Sequence, residues 1–125
     1  PLASGLLSGK FTQNTQFQDT DHRHYNADGA AFNVGETFSG LPFADGVRLS
    51  EELRELLPAG DLAQWSLKWI LQQQGLSTVI PGASSARQVA QNMLSVALPE
   101  LDEPRLERLR EFYLTKVRPL VRGEI

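Results

Sequence analysis

The sequence predicts an α/β protein that is mostly helical and whose sheet is incomplete. Three observations carry that expectation. Within residues 47–122, apolar side chains recur at helical spacing in several segments. Ser77-Thr78-Val79-Ile80 is a short β-branched run between Gly75 and Pro81-Gly82, and it reads as a buried strand. The only other strand-like stretch is residues 1–4, and two strands wrapped in helices do not make a self-sufficient sheet. A larger α/β sheet or barrel is therefore expected to supply the missing strands.

The elements follow in order. Residues 1–10 are small and apolar, with Gly5 and Gly9 close to Lys10, and read as a strand end and a turn. Residues 11–46 are polar and show neither a helical nor a strand period, so they read as a long loop. The loop holds Phe11, Phe17, Tyr25, Phe32, Phe38 and Phe43, enough aromatic surface to expect it packed rather than floating. A helix is expected over 48–57, with Leu49, Leu53, Leu56 and Leu57 on one face and Pro58 and Gly60 ending it. Asp61 caps a second helix carrying Leu62, Trp65, Trp69 and Ile70, which stops at Gly75. After the 77–80 strand, Ser84 or Ser85 opens a third helix, and Ser85 with Gln88 three residues on fits a capping box. A last helix starts at Asp102, has Pro104 in its first turn and runs to about Val117 along the stripe Leu106, Leu109, Tyr113, Val117. Residues 118–125 read as a tail.

Composition narrows the function classes. A single domain of 125 residues with 41% hydrophobic and 22% charged residues is not collagen-like, coiled-coil or largely disordered. The net charge of −3 lacks the basic excess of a nucleic-acid binder. With no cysteine there is no disulfide and no thiolate-bound metal, which fits a reducing compartment, and a cytoplasmic setting is expected. No apolar run reaches the ~18 residues of a membrane span, and the first residues lack the basic and apolar regions of a secretory signal. The chain has no initiator Met and its first residues look structured, so it is expected to begin inside a longer protein.

Two segments present chemistry. Gly5-Leu6-Leu7-Ser8-Gly9-Lys10-Phe11 is not a nucleotide triphosphate loop, because three residues rather than four separate the glycines and Phe follows the lysine. It allows close backbone approach to a ligand with Lys10 as a point charge, or it is an ordinary turn with an exposed lysine. Ile80-Pro81-Gly82-Ala83-Ser84-Ser85 opens a helix whose free N–H groups suit an anion, or it is an ordinary capped turn. Asp19, Asp21, His22 and His24 include a His-x-His pair with carboxylates nearby, a set that can bind a metal, but the loop fixes no geometry and the flanking residues form no metal signature; they read as solvated loop residues, and no metal is expected.

Together the two segments resemble the aldo/keto reductases. Pro1-Leu2-Ala3-Ser4-Gly5-Leu6-Leu7-Ser8-Gly9-Lys10 is similar to that family's seventh-strand S-P-L-x-x-G-L-L-x-G-K segment. Ile80-Pro81-Gly82-Ala83-Ser84-Ser85-Ala86-Arg87-Gln88-Val89-Ala90-Gln91-Asn92 is similar to its eighth-strand I-P-G-A-x-x-x-x-Q-V-x-E-N segment, and the spacing of about 70 residues also matches. Asp21-His22-Arg23-His24-Tyr25-Asn26 and Phe32-Asn33-Val34-Gly35-Glu36-Thr37-Phe38-Ser39-Gly40 look like the long loop of a bacterial branch.

The resemblance implies the C-terminal portion of a (β/α)8 barrel that reduces aldehydes or ketones with NADPH. Residues 1–10 would be the end of strand seven, 11–46 the loop after it, and 47–122 helices with strand eight near 77–80. Pro1, Leu2, Ala3 and Ser4 match positions along the pyrophosphate and nicotinamide ribose, and Lys10 matches a lysine near the cofactor phosphates. Gly82 and Ser84 match positions at the adenosine 2′-phosphate, and Gln88, Gln91 and Asn92 match residues meeting the ribose and base. Gln91 stands where the family has Glu, and Ser84 and Ser85 stand where many members have Arg or Lys. With only Arg87 nearby in compensation, the choice between NADPH and NADH stays open. The family's catalytic Asp, Tyr, Lys and His lie upstream, so no catalytic residue is assigned here; Tyr25, Tyr113, Lys68, Lys116, His22 and His24 match none of them. The implied partners are NADP, a small carbonyl substrate and an N-terminal barrel segment, and self-association through unpaired strand edges is expected. The alternative is a noncatalytic helical fragment or interaction module derived from the same fold.

Overall fold

A computed structural model describes residues 1–123. Among the described residues, five α-helices carry the architecture: α1 (His22–Tyr25), α2 (Phe43–Leu56), α3 (Leu62–Leu71), α4 (Ala86–Met93) and α5 (Glu103–Phe112). Tight turns lie between them, and a π-turn, Tyr113–Val117, extends α5. Among the described residues there is no strand. This corrects two expectations. The stretch taken as a strand end begins a 3-10 segment, Ala3–Ser8. Residues 76–80 are irregular, with Ser77, Thr78 and Ile80 exposed rather than buried. A β-branched run gains nothing from an extended backbone without a neighbour to pair with.

The helix termini follow local chemistry. The side chains of Asp61, Ser85 and Asp102 each accept the backbone N–H three residues on, as expected. Helix α2 begins at Phe43, five residues before the sequence suggests. Pro42 precedes it, and Gly46, a weak helix former, lies in its first turns. Gly46 is there for space: a Cβ would meet Leu6 Cδ1 at 2.6 Å. The last helix loses its α register after Phe112, although its apolar stripe continues through Val117.

Two small cores result. The first gathers Leu6, Phe38, Leu41, Val47 and Leu49, with Phe11, Phe17 and Phe43 against them. The long loop is therefore packed, as its aromatic content predicts. The second joins Trp65, Leu101 and Leu109 to Leu53, Leu56, Leu57, Leu98 and Leu106. Helix α2 contributes to both. The Gln72 amide brackets the Leu101 peptide, accepting its N–H at 2.9 Å and donating to its carbonyl at 3.3 Å. Arg105 donates to the Leu56 carbonyl at the C-terminus of α2. The segment from 118 is not a free tail: Leu120 and Val121 pack on the first core. Glu124 and Ile125, at its end, lie outside the described residues.

Candidate functional site

The first segment is built on strained backbone. Ala3, Ser4, Phe38 and Ser39 have φ of +48°, +53°, +53° and +53°. Non-glycine residues in this left-handed region cost roughly 1–3 kcal/mol each and concentrate where surrounding structure imposes them. The two strained pairs touch. The Phe38 N–H donates to Ser4 Oγ at 3.1 Å, and the Ser4 hydroxyl donates to the Glu36 carbonyl at 3.4 Å. Ser4 thus clasps the loop onto the first turn. Pro1 and Lys10 are exposed, while Leu2, Ala3 and Ser4 are half-buried.

The loop around this clasp has its own polar anchors. Asn26 is fully buried; its Nδ2 donates to Thr37 Oγ1, and its Oδ1 accepts the N–H groups of Ala31 and Phe32, all at 2.9 Å. The Arg23 guanidinium lies 4.6 Å from the Phe17 ring centroid and 5.6 Å from that of Phe11. Asp21 holds it by accepting from Nε, at 2.9 Å on Oδ1 and 3.2 Å on Oδ2, and from Nη2 on Oδ2. These bonds lower the Asp21 carboxyl to about 2, against an opposing effect of burial. A lowered folded-state pKa stabilises above the unfolded value of about 4 and is lost as pH falls towards 2. The Arg23 contact is partly solvated, so the effect is no more than about 2 kcal/mol. Asp21→Asn keeps an N-cap acceptor but cannot titrate. The difference in urea stability between parent and Asp21→Asn is expected to shrink between pH 4 and pH 2; a constant difference contradicts the assignment.

The second segment is open. Gly82 has nothing within 4 Å of the position a Cβ would take, and Ser84, Ser85 and Arg87 are exposed. The Ser85–Gln88 capping box forms in shifted register. Ser85 Oγ accepts the Gln88 N–H at 3.3 Å, but the Gln88 Oε1 turns to Ser84, accepting from its N–H at 2.6 Å and its hydroxyl at 2.9 Å. Gln91 is exposed and its Oε1 accepts from Gln64 of α3 at 3.1 Å. Asn92 is half-buried, and its carbonyl accepts the Ser95 hydroxyl.

Pro1 to Ser4 are thereby grouped with the Phe38–Gly40 turn, while Gly82 and Ser84 lie in the turn before α4, Gln88 in its first turn and Gln91 and Asn92 in its last. Helix α3 packs against both groups. Pro1 and Ala3 also line a cavity of about 280 Å³ walled by α2, α3 and α5, with Trp65, Trp69 and Phe112 among its apolar residues. No residue of 81–92 lines that cavity. Among the described residues no three of His, Cys, Asp or Glu converge on a metal-sized site, and no helix is long and apolar enough to cross a membrane. Sequence reasoning missed Ser39, Asn26 and Arg122. Nothing in an alanine, a serine or a phenylalanine announces a left-handed backbone.

The chain's class is settled by comparison with known proteins. Residues 1–114 match the aldo/keto reductase family, and the chain belongs to that family of oxidoreductases. It is similar to the L-glyceraldehyde 3-phosphate reductase of Escherichia coli O157:H7, with 30% identity over 93 residues. The alignment covers 74% of this chain and 26% of that protein, so the chain spans about a quarter of this relative's length. No solved structure matches.

Proposed function

We propose that this chain is the cofactor-binding, C-terminal portion of a (β/α)8-barrel reductase that uses NADPH to reduce a small aldehyde or ketone in the cytoplasm. The observation that carries the reading is the family match over 1–114, which includes both motif-bearing segments. Exposed apolar side chains give further support. Leu76, Ile80, Val89, Met93, Leu94 and Val96 are 41–83% exposed and crowd into one part of the chain. Exposed apolar side chains of this kind are what a helical layer presents when the sheet it covers is elsewhere. They, rather than a strand edge, are also the surface through which the chain alone would associate.

The residues present fit the cofactor. Lys10 is exposed, and no ion pair of its ammonium is seen among the described residues. The space at Gly82 is open, and the first amides of α4 have no intrahelical acceptor. The reduced nicotinamide supplies the hydride when bound, and the proton donor to the carbonyl belongs to the upstream barrel. Pro1, Leu2, Ala3 and Ser4 offer backbone groups along the pyrophosphate side, and Lys10 offers charge to the phosphates. Gly82 and Ser84 receive the 2′-phosphate end, and Gln88, Gln91 and Asn92 the adenosine. For Gln88 this requires releasing Ser84, so the Ser84–Gln88 bonds break on binding. The loop at 11–46 folds over the pyrophosphate.

Fluorescence titration tests this. In the complete barrel protein, Lys10→Ala is expected to weaken NADPH binding about tenfold, equivalent to about 1.4 kcal/mol. Unchanged affinity overturns the phosphate role. The 125-residue chain alone is expected to bind weakly or not at all. Micromolar binding by its monomer contradicts the dependence on barrel strands. Proteolytic cleavage within 11–46 should slow when NADPH is added to the complete protein, and unaltered cutting removes the lid role.

The noncatalytic helical module remains the second reading, favoured by the absence of strands among the described residues. It predicts that the complete protein neither binds NADPH nor oxidises it in the presence of aldehydes.

A further inference from the structure

Among the described residues, Arg122 lies about 80 to 95 residues from the groups it binds, and these bonds converge on one loop. Its backbone N–H and its Nε both donate to the Gly40 carbonyl, at 3.0 and 3.1 Å. Its Nη1 donates to Asp28 Oδ1 at 2.7 Å, and its Nη2 to the Ala27 carbonyl at 2.9 Å. The planar fork therefore spans both ends of the segment 27–40, a geometry a lysine point charge cannot copy. The fit is close on either side. Gly40 has φ +78°, and a Cβ there would land on the Arg122 carbonyl oxygen. Gly123 also has φ +78°, and a Cβ there would stand 2.7 Å from Val34 Cγ1 and 2.9 Å from Asn33 Oδ1. Two glycines far apart in sequence thus make room for one strap.

A continuous path leads from this strap to the first turn. Gly40 closes the left-handed turn of Phe38 and Ser39, donating its N–H to the Thr37 carbonyl. Phe38 in turn donates to Ser4 Oγ. Left-handed Phe and Ser are unfavourable conformations that persist only when held from outside. The turn is held from one side by Ser4 and from the other by Arg122.

We propose that Arg122 is a positioning residue: the C-terminal segment works as a strap that fixes the 27–40 loop and, through the Phe38–Gly40 turn, sets the backbone at Ser4. The fixing of the loop stands on the geometry alone. Its consequence for cofactor affinity rests on the reading of Ser4 proposed above.

Two measurements separate these parts. Hydrogen–deuterium exchange on the complete protein is expected to show amides of 31–40 exchanging at least tenfold faster in Arg122→Ala, with α3 unchanged. Arg122→Lys keeps the charge and should show nearly the same rise; full protection in the lysine variant overturns the role of the fork. Should Arg122→Ala fail to fold, Asp28→Ala removes a single arm at a carboxylate that is 86% exposed, and a smaller rise confined to the same amides is expected. Unchanged exchange in the folded variants overturns the strap. In the complete protein, Arg122→Ala should raise the NADPH dissociation constant about fivefold to tenfold. Faster loop exchange with unaltered affinity overturns the link to Ser4. A parent protein that binds no NADPH overturns the cofactor reading instead, and the exchange result then decides the strap by itself.

Discussion

Phe38→Ala is expected to lower the unfolding free energy by about 3–5 kcal/mol, the range for deleting a buried aromatic ring. Phe38 is 1% exposed and sits at the centre of the first core. Its ring centroid lies 5.2 Å from that of Phe43 and 5.8 Å from that of Phe17. The backbone adds a second effect that can be isolated. At φ +53° both Phe and Ala bear a Cβ in the left-handed region, so truncation to alanine relieves no strain. Phe38→Gly removes the same ring but relieves roughly 1 kcal/mol. The expected stability order is therefore parent, then Phe38→Leu, then Phe38→Gly, then Phe38→Ala. Urea unfolding followed by the Trp65 and Trp69 fluorescence checks it, since both tryptophans lie outside this core. An alanine variant within 1 kcal/mol of the parent, or more stable than the glycine variant, refutes this account.

That strained phenylalanine marks where the sequence stops being legible. Asp61, Ser85 and Asp102 announce their caps because the acceptor and the amide it serves are three residues apart. The Leu49, Leu53, Leu56 stripe announces its buried face because periodicity is also local. The first turns of α2 stay hidden because Gly46 speaks against a helix until its close neighbour Leu6 is known. Residues 77–80 carry a strand composition that can be realised only beside another strand, so the propensity is legible and the structure is not. The clasp between Ser4 and Phe38 joins residues 34 apart, and Arg122 reaches back 95 residues to Ala27; no local rule contains either. The candidate site divides in the same way. The residue types of both motif segments are readable, whereas the left-handed turn that shapes one of them is imposed from a distance.

Asn26→Leu is expected to cost about 2–4 kcal/mol, approaching the loss of the Phe38 ring, although a single small polar side chain is replaced. Asn26 has no exposed surface, and its amide satisfies three groups at once. Leucine leaves the buried Thr37 hydroxyl and the part-buried Ala31 and Phe32 N–H groups without their partner; a buried orphan costs about 1–3 kcal/mol, and the two amides, which water can reach, cost less. Asn26→Asp separates the hydrogen bonds from the volume. Its carboxylate still accepts from Ala31 and Phe32, and the Thr37 hydroxyl can rotate to donate. The remaining cost is desolvation of the charge, partly offset by those three donors, and about 1–2 kcal/mol is expected. Leucine should therefore be the more harmful replacement, with exchange rising across 31–37 before α3 is affected. An aspartate variant as unstable as the leucine variant would show that the charge, not the lost bonds, dominates. The order matters for function because Asn26 grips Thr37, the residue before Phe38, and so fixes the turn that holds Ser4.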